Sequence, residues 1–221
     1  MIDVRRHVEL FDPNKFDLPI TVIGAGATGS WLLLFLAKLG LEKITAYDFD
    51  QIEEHNIANQ CFGNIDVGKS KVVAIQDRIE VETGTKINAK NTKFVSQPLQ
   101  GVVFLLVDSM KERKRIWEQS IKYNPNVKLL IEPRMGMSMG RIYTLDPSNI
   151  THIKQYESTL YSDDDTEVSA CGSSVSVITS ATMIASMCVR QMINWHNEVE
   201  MYNELLVDMM YWSFVNSEWK E

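Results

Sequence analysis

The stretch ITVIGAGATGSWLLLFLAKLG, residues 20–40, constrains the fold more than any other part of the chain. Four apolar or β-branched residues run into Gly24, Gly26 and Gly29, which fit the spacing G-x-G-x-x-G, and a strongly apolar helical segment follows. A strand, a tight glycine turn and a helix in that order leave free N–H groups at the helix start, facing whatever anion sits there. The first glycine permits the turn, the second lets a phosphate approach the backbone, and the third lets helix pack on strand. Gly24, Ala25, Gly26 and Gly29 are therefore candidate nucleotide-binding residues. The turn does not say which nucleotide is bound.

The rest of the chain is consistent with this start. Strand-like and helix-like segments alternate over residues 19–133: KITAYDFD ending near Asp48, a helix over 69–82, an alternating strand KINAKNTKF, the apolar strand GVVFLLVDS ending at Asp108, a helix KERKRIWEQSIKY and a strand KLLIEPRM. That alternation predicts an α/β fold, a doubly wound Rossmann-like and mostly parallel sheet. GRIYTLDP reads as one more strand, followed by a charged loop at 163–167. Two C-terminal helices are then expected, one through SSVSVITSATMIASMCVRQMINW and one over roughly 196–217. In the first, Met183, Met187 and Met192 read as core filler. In the second, MYNELLVDMMYWSFV holds more apolar positions than one helix face needs, so it is expected either in the core or at a subunit interface. The 221 residues suit a single domain, with a nucleotide-binding half at about 15–135 and a C-terminal portion at about 136–221.

Composition narrows the function classes. Asp and Glu total 29 against 22 Lys and Arg, which argues against a nucleic-acid partner. The N-terminal MIDVRRHVELFDP has no apolar leader, and WLLLFLA is too short to span a bilayer, so no membrane association and a cytoplasmic location are expected. Cys61, Cys171 and Cys188 lie far apart, with no C-x-x-C pair to suggest a zinc site.

The segment DFDQIEEHNIANQCFGNIDVGKSKV, residues 48–72, is what separates hydride transfer from phosphate chemistry. A hydride-transfer site has no evident use for it. With its flanks it resembles the ThiF/MoeB/ubiquitin-activating family of adenylyltransferases, which carries D-x-D, S-N-L-x-R-Q and V-G-x-x-K in this order and at this spacing. Asp48 and Asp50 match the acidic pair, and Asn56, Gln60, Gly68 and Lys71 match the family's Asn, Gln, Gly and Lys. VDSMKERKRIWE resembles the family's strand-end D-N-x-x-x-R, with Asp108 and Arg113 at the Asp and Arg. The resemblance extends from about residue 5 to about residue 195, and the compact length resembles the short bacterial or phage-type members.

The resemblance implies ATP and Mg²⁺ as cofactors and, as partner, a small ubiquitin-like or sulfur-carrier protein. That partner's C-terminal carboxylate would be joined to AMP with release of pyrophosphate. Asp48 would hold the ribose, Lys71 the phosphates and Asp108 the Mg²⁺, directly or through water. Asn56 either bonds phosphate or braces its loop. The match fails at Asn59, which stands where the family has an arginine; a neutral amide makes a weaker contact to phosphate than a charged fork. Arg113, Arg134, or Arg5 and Arg6 supplied to a neighbouring subunit, are the candidate replacements, since the family commonly forms homodimers with paired sites. Cys171 is a candidate thioester cysteine. Two other classes stay open: a non-catalytic nucleotide-binding scaffold, motivated by Asn59, and a nicotinamide-dependent oxidoreductase, motivated by the glycine turn and Asp48.

Overall fold

The computed structural model describes residues 2–161 and 176–220. Its centre is a strand that needs cover on both sides. All four residues of β1 (Ile20–Ile23) are buried, and so are all five of β4 (Gly101–Leu105), the pattern of parallel strands with helices on both faces. β1 pairs in parallel with β4 on one side and with β2 (Ile44–Asp48) on the other. The exposed strand β3 (Asn88–Asn91) closes that edge beside β2. On the other edge β5 (Val127–Gly136) adds in parallel to β4, and β6 (Met139–Leu145) turns back antiparallel. The eight-stranded order is β3-β2-β1-β4-β5-β6-β7-β8.

Successive side chains of a strand point to opposite faces, and the core divides accordingly. Val102, Phe104, Leu129 and Ile131 face one cluster, which contains α1 (Ala27–Lys38), α2 (Lys71–Thr83) and α5 (Ile178–His196). Val103, Leu105 and Leu130 face a second cluster with Ile116, Trp117 and Ile121. Those three come from α3 (Met110–Ile116) and the π-helical turn that continues it over Trp117–Ile121. Ile153 and Tyr156 of α4 (Ile150–Ser158) complete that side. Helices on both faces of a mostly parallel sheet confirm the doubly wound class. Met192 is fully buried, and Met183 and Met187 pack against the same cluster, as core filler should.

Two features depart from expectation. The region 196–217 is not a helix: β7 (Glu204–Asp208) and β8 (Ser213–Ser217) form an antiparallel hairpin that extends the sheet from β6. Asp208 Oδ1 accepts from the N–H groups of Met210 and Tyr211, making the turn, and Trp212 takes φ +52° to complete it. A helix would have left the outer edge of β6 unpaired. The surplus of apolar residues is not buried either, since Tyr211 and Trp212 are more than 70% exposed. The second departure is α4, absent from the sequence reading, although Asn149 supplies its cap by accepting from the N–H groups of Thr151 and His152. Among the described residues no helix is long and apolar enough to cross a membrane.

Candidate functional site

The sheet order reverses direction between β1 and β4, the switch point at whose carboxyl-end tips open α/β sheets bind their ligands. Gly24 sits there at φ +103°, its N–H donating to Tyr47 O. A side chain at Gly24 would meet Leu106 O at 2.6 Å, and one at Gly29 would meet Gly24 O at 2.0 Å, so both glycines are required by backbone contact. Gly26 differs: a side chain there would meet nothing within 4 Å. It is the N-cap of α1 and offers no side-chain cap, so the first N–H groups of the helix face an open space. Gly24 and Gly29 thus serve the turn and the helix–strand packing, and Gly26 leaves its surroundings open.

β2 delivers the acids. Asp48 Oδ2 accepts from Ala25 N–H at 2.7 Å, and its Oδ1 accepts from Asp50 N–H at 2.8 Å. Burial pushes the Asp48 carboxyl above its ordinary range, against the pull of those two N–H groups and of Lys71. A partly buried carboxylate held at a cost is a candidate ligand-binding group.

Lys71, the first residue of α2, places Nζ 2.8 Å from Asp50 Oδ2. The placement comes from a short ladder: Lys71 N–H donates to Asp50 O, Ile52 N–H to Lys69 O, and Gly68 N–H to Ile52 O. Gly68 reverses the chain there at φ +85°, which accounts for a glycine ahead of the lysine. Residues 53–67 form the excursion that this ladder closes. Within it Asn56 is buried and its Oδ1 accepts from Glu53 N–H at 2.9 Å, which braces the loop. Among the described residues, the buried Gln60 Oε1 and Ser70 Oγ have no hydrogen-bond partner.

Asn59 does not face an open charge site. Its Nδ2 donates to Ser176 Oγ at 2.7 Å, and its carbonyl accepts from Trp31 Nε1 at 3.0 Å. The residue at the arginine position thus ties α1 to the chain entering α5. Asp108 is exposed on the segment leaving β4, just past Leu106 and Val107, which abut Gly24. Because β1 lies between β2 and β4, Asp48 and Asp108 flank the glycine turn from opposite sides.

Of the candidate replacement arginines, Arg113 and Arg134 are committed elsewhere, and Arg5 and Arg6 are exposed and distant. Arg113 is buried, with Nε 2.6 Å from Glu132 Oε1 and Nη2 donating to Val107 O at 2.5 Å. Arg134 pairs with the same Glu132 at 2.8 Å, donates to Thr159 O and lies over the Tyr143 ring. Arg5 and Arg6 are exposed, Arg5 pairing with Asp3. Their segment is fastened at the C-terminal end of α1, where His7 Nε2 contacts Leu39 O. The 12 residues of α1 make it about 18 Å long, so these arginines stand at the end remote from the glycine turn. Cys171 lies outside the described residues. Cys61 and Cys188 are buried; burial raises the Cys61 thiol to about 11 and the Cys188 thiol further, leaving neither a nucleophile at neutral pH.

Sequence reasoning missed Glu132. A charged residue in the apolar run KLLIEPRM was the available signal, because glutamate is rarely fully buried without a partner.

A parallel sheet with a glycine turn at its switch point and an acid at the end of the second strand defines a Rossmann-like nucleotide-binding protein. The sequence model of the ThiF family matches residues 15–219, and the chain belongs to that family. Part of the chain is 43% identical over 61 residues to the probable adenylyltransferase/sulfurtransferase MoeZ of Mycobacterium tuberculosis. That match covers 27% of this chain and 16% of MoeZ. Escherichia coli MccB, solved with ATP, superposes with a TM-score of 0.70 at 15% identity, covering 97% of this chain and 66% of MccB. MccB in complex with N-formylated MccA gives 0.75, with 97% of this chain and 68% of MccB covered at 15% identity. PaaA gives 0.73 at 16% identity, over 96% of this chain and 67% of that one.

Proposed function

We propose that this chain is an ATP-dependent adenylyltransferase. It joins AMP to the C-terminal carboxylate of a small ubiquitin-like or sulfur-carrier protein, or of a peptide, and releases pyrophosphate. The observation that carries this reading is the linked set Ala25–Asp48–Asp50–Lys71 at the tips of β1 and β2, with Asp108 across the glycine turn on β4.

The N–H groups at the start of α1 receive the phosphates over Gly26, and Asp48 receives the ribose hydroxyls. Lys71 moves from Asp50 onto the phosphates. Asp50 is half exposed, so water can take the place of the ammonium group when Lys71 leaves it. A carboxylate oxygen of the acceptor attacks the α-phosphorus, the bond to the bridging oxygen breaks, and pyrophosphate leaves with the electron pair. Mg²⁺, when bound, neutralises charge on that leaving group. Asp108 would hold it, and an exposed carboxylate suits that ion, since Mg²⁺ commonly takes one or two carboxylates together with substrate phosphates. Among the described residues no cluster of three or more His, Cys, Asp or Glu side chains forms a separate metal site.

The test is transfer of label from [α-³²P]ATP to carriers ending in Gly-Gly and to short peptides with a free C-terminus. Asp108→Ala is expected to lower transfer by about 100-fold, in the range for loss of one transition-state charge contact. Its thermal midpoint should barely move, because the side chain is exposed. Full transfer in Asp108→Ala refutes its role. The scaffold reading is favoured by one observation, the neutral Asn59 engaged by Ser176; tight ATP binding with no transfer to any acceptor would establish it.

A homodimer is part of the same proposal. The exposed apolar hairpin of Met210, Tyr211, Trp212 and Phe214 supports it, as does the placement of Arg5 and Arg6 away from their own chain's site. Sedimentation equilibrium at micromolar concentration should give twice the chain mass; a monomer there would remove both the dimer and the trans-arginine idea. The site needs ATP and reduced thiols are all buried among the described cysteines, which suits a cytoplasmic protein.

A further inference from the structure

Glu132 is fully buried on β5, between two guanidinium groups. Buried ion pairs are seldom more stable than apolar residues of the same volume, so stability alone does not account for three charges under a sheet. Their geometry offers another account. Arg113 holds Glu132 with Nε and donates from Nη2 to Val107 O at 2.5 Å. The carbonyl of Val107 and the nitrogen of Asp108 belong to one planar peptide unit. Arg113 therefore clamps the peptide from which Asp108 projects. On the opposite side Leu106 N–H donates to Ile23 O, and Leu106 O abuts Gly24. The segment 106–108 is gripped from β1 on one flank and from Arg113 on the other.

We propose that Glu132 and Arg113 are positioning residues that fix the Val107–Asp108 peptide, and so the place of the Asp108 carboxylate, from beneath the strand tips. The catalytic consequence rests on the adenylyltransferase reading; the structural one does not. Arg113 is then not a phosphate ligand. Arg134 completes the device by donating to both oxygens of Glu132 and anchoring to Thr159 O and Oγ1 at the end of α4.

Arg113→Lys is the discriminating variant. An ammonium group preserves the charge beside Glu132 but lacks the planar fork that also reaches Val107 O. Amide hydrogen exchange over residues 106–110 is expected to accelerate about ten-fold or more in Arg113→Lys, with the helices and β1 unchanged. The Mg²⁺ concentration for half-maximal AMP transfer should rise several-fold, and Arg113→Lys should have no added effect in an Asp108→Ala background, as coupled residues require. Glu132→Gln is expected to give the same local exchange pattern; if it does not fold, Arg113→Lys decides alone. Unchanged exchange over 106–110 in Arg113→Lys overturns the proposal, and so does an equal effect with and without Asp108. If the wild-type protein transfers AMP to no acceptor, the functional reading fails, while the exchange measurement still decides whether Arg113 fixes the segment.

Discussion

Gly29→Ala is expected to leave the protein severely destabilised, while Gly26→Ala folds and fails to hold nucleotide. The two glycines are neighbours in one turn and differ in what surrounds them. A Cβ at Gly29 would stand 2.0 Å from Gly24 O, a backbone atom that cannot turn aside as a side chain would. Overpacking typically costs 1–3 kcal/mol, and a collision with backbone belongs at or above the top of that range, about 3 kcal/mol. For a chain of this length that corresponds to a fall of roughly 6–12 °C in thermal midpoint. At Gly26 the same methyl group meets nothing within 4 Å, so the loss of stability should stay below about 1 kcal/mol. On the proposed reading, the space it enters is the one the phosphates would take. Calorimetric titration with Mg·ATP should therefore show affinity reduced by about ten-fold or more, roughly the 1.4 kcal/mol that a displaced phosphate contact is worth. Equal stability losses in the two variants would mean the turn is only a packing device.

Lys71→Met should abolish AMP transfer at almost no cost in stability. Methionine retains most of the buried stem volume, and the abandoned Asp50 is half exposed and can be rehydrated. If Lys71 meets the phosphates as charge develops on them, its loss removes a contact made strongest in the transition state, worth about 10²–10³ in rate. The alternative is a structural role, a helix-start lysine paired with an acid on a neighbouring loop. That alternative predicts transfer within about two-fold of wild type, so the rate rather than the thermal midpoint separates the two readings.

The parts of the fold that were legible in the sequence are those where local chemistry and global packing agree. Ile20–Ile23 and Gly101–Leu105 are apolar throughout because both faces are covered, and the glycine spacing reports contacts within a few residues of the turn. The hairpin of β7 and β8 was illegible for the opposite reason. ELLVD and SFVNS carry apolar residues on both sides and no Asn-Gly turn; what makes them strands is the unpaired edge of β6, which lies about 60 residues earlier. α4 hides behind a short, weakly apolar segment, although Asn149 marks its start. On α2, Val73 reads as apolar-face but stands 40% exposed, whereas Val72, Ile75 and Ile79 are buried.

The candidate site divides the same way. Asp48, Asp50, Gly68 and Lys71 fall within one local ladder, so their order in the chain nearly determines their meeting. The partners of Asn59 and Arg113 come from distant segments, Ser176 and Glu132, which no spacing rule reaches. Arg113 on α3 reads from sequence as a candidate phosphate arginine; the structure turns it inward, to the carboxylate of Glu132 on β5.

The central claim is that the strand tips of β1, β2 and β4 hold a nucleoside triphosphate. Parallel calorimetric titrations of the wild-type chain with Mg·ATP and with NAD test it most directly. The account predicts measurable heat and a saturable isotherm for Mg·ATP, weakened in Gly26→Ala, and binding of NAD at least about ten-fold poorer. NAD bound as tightly as ATP, or Mg·ATP bound equally well by the Gly26→Ala chain, would contradict it.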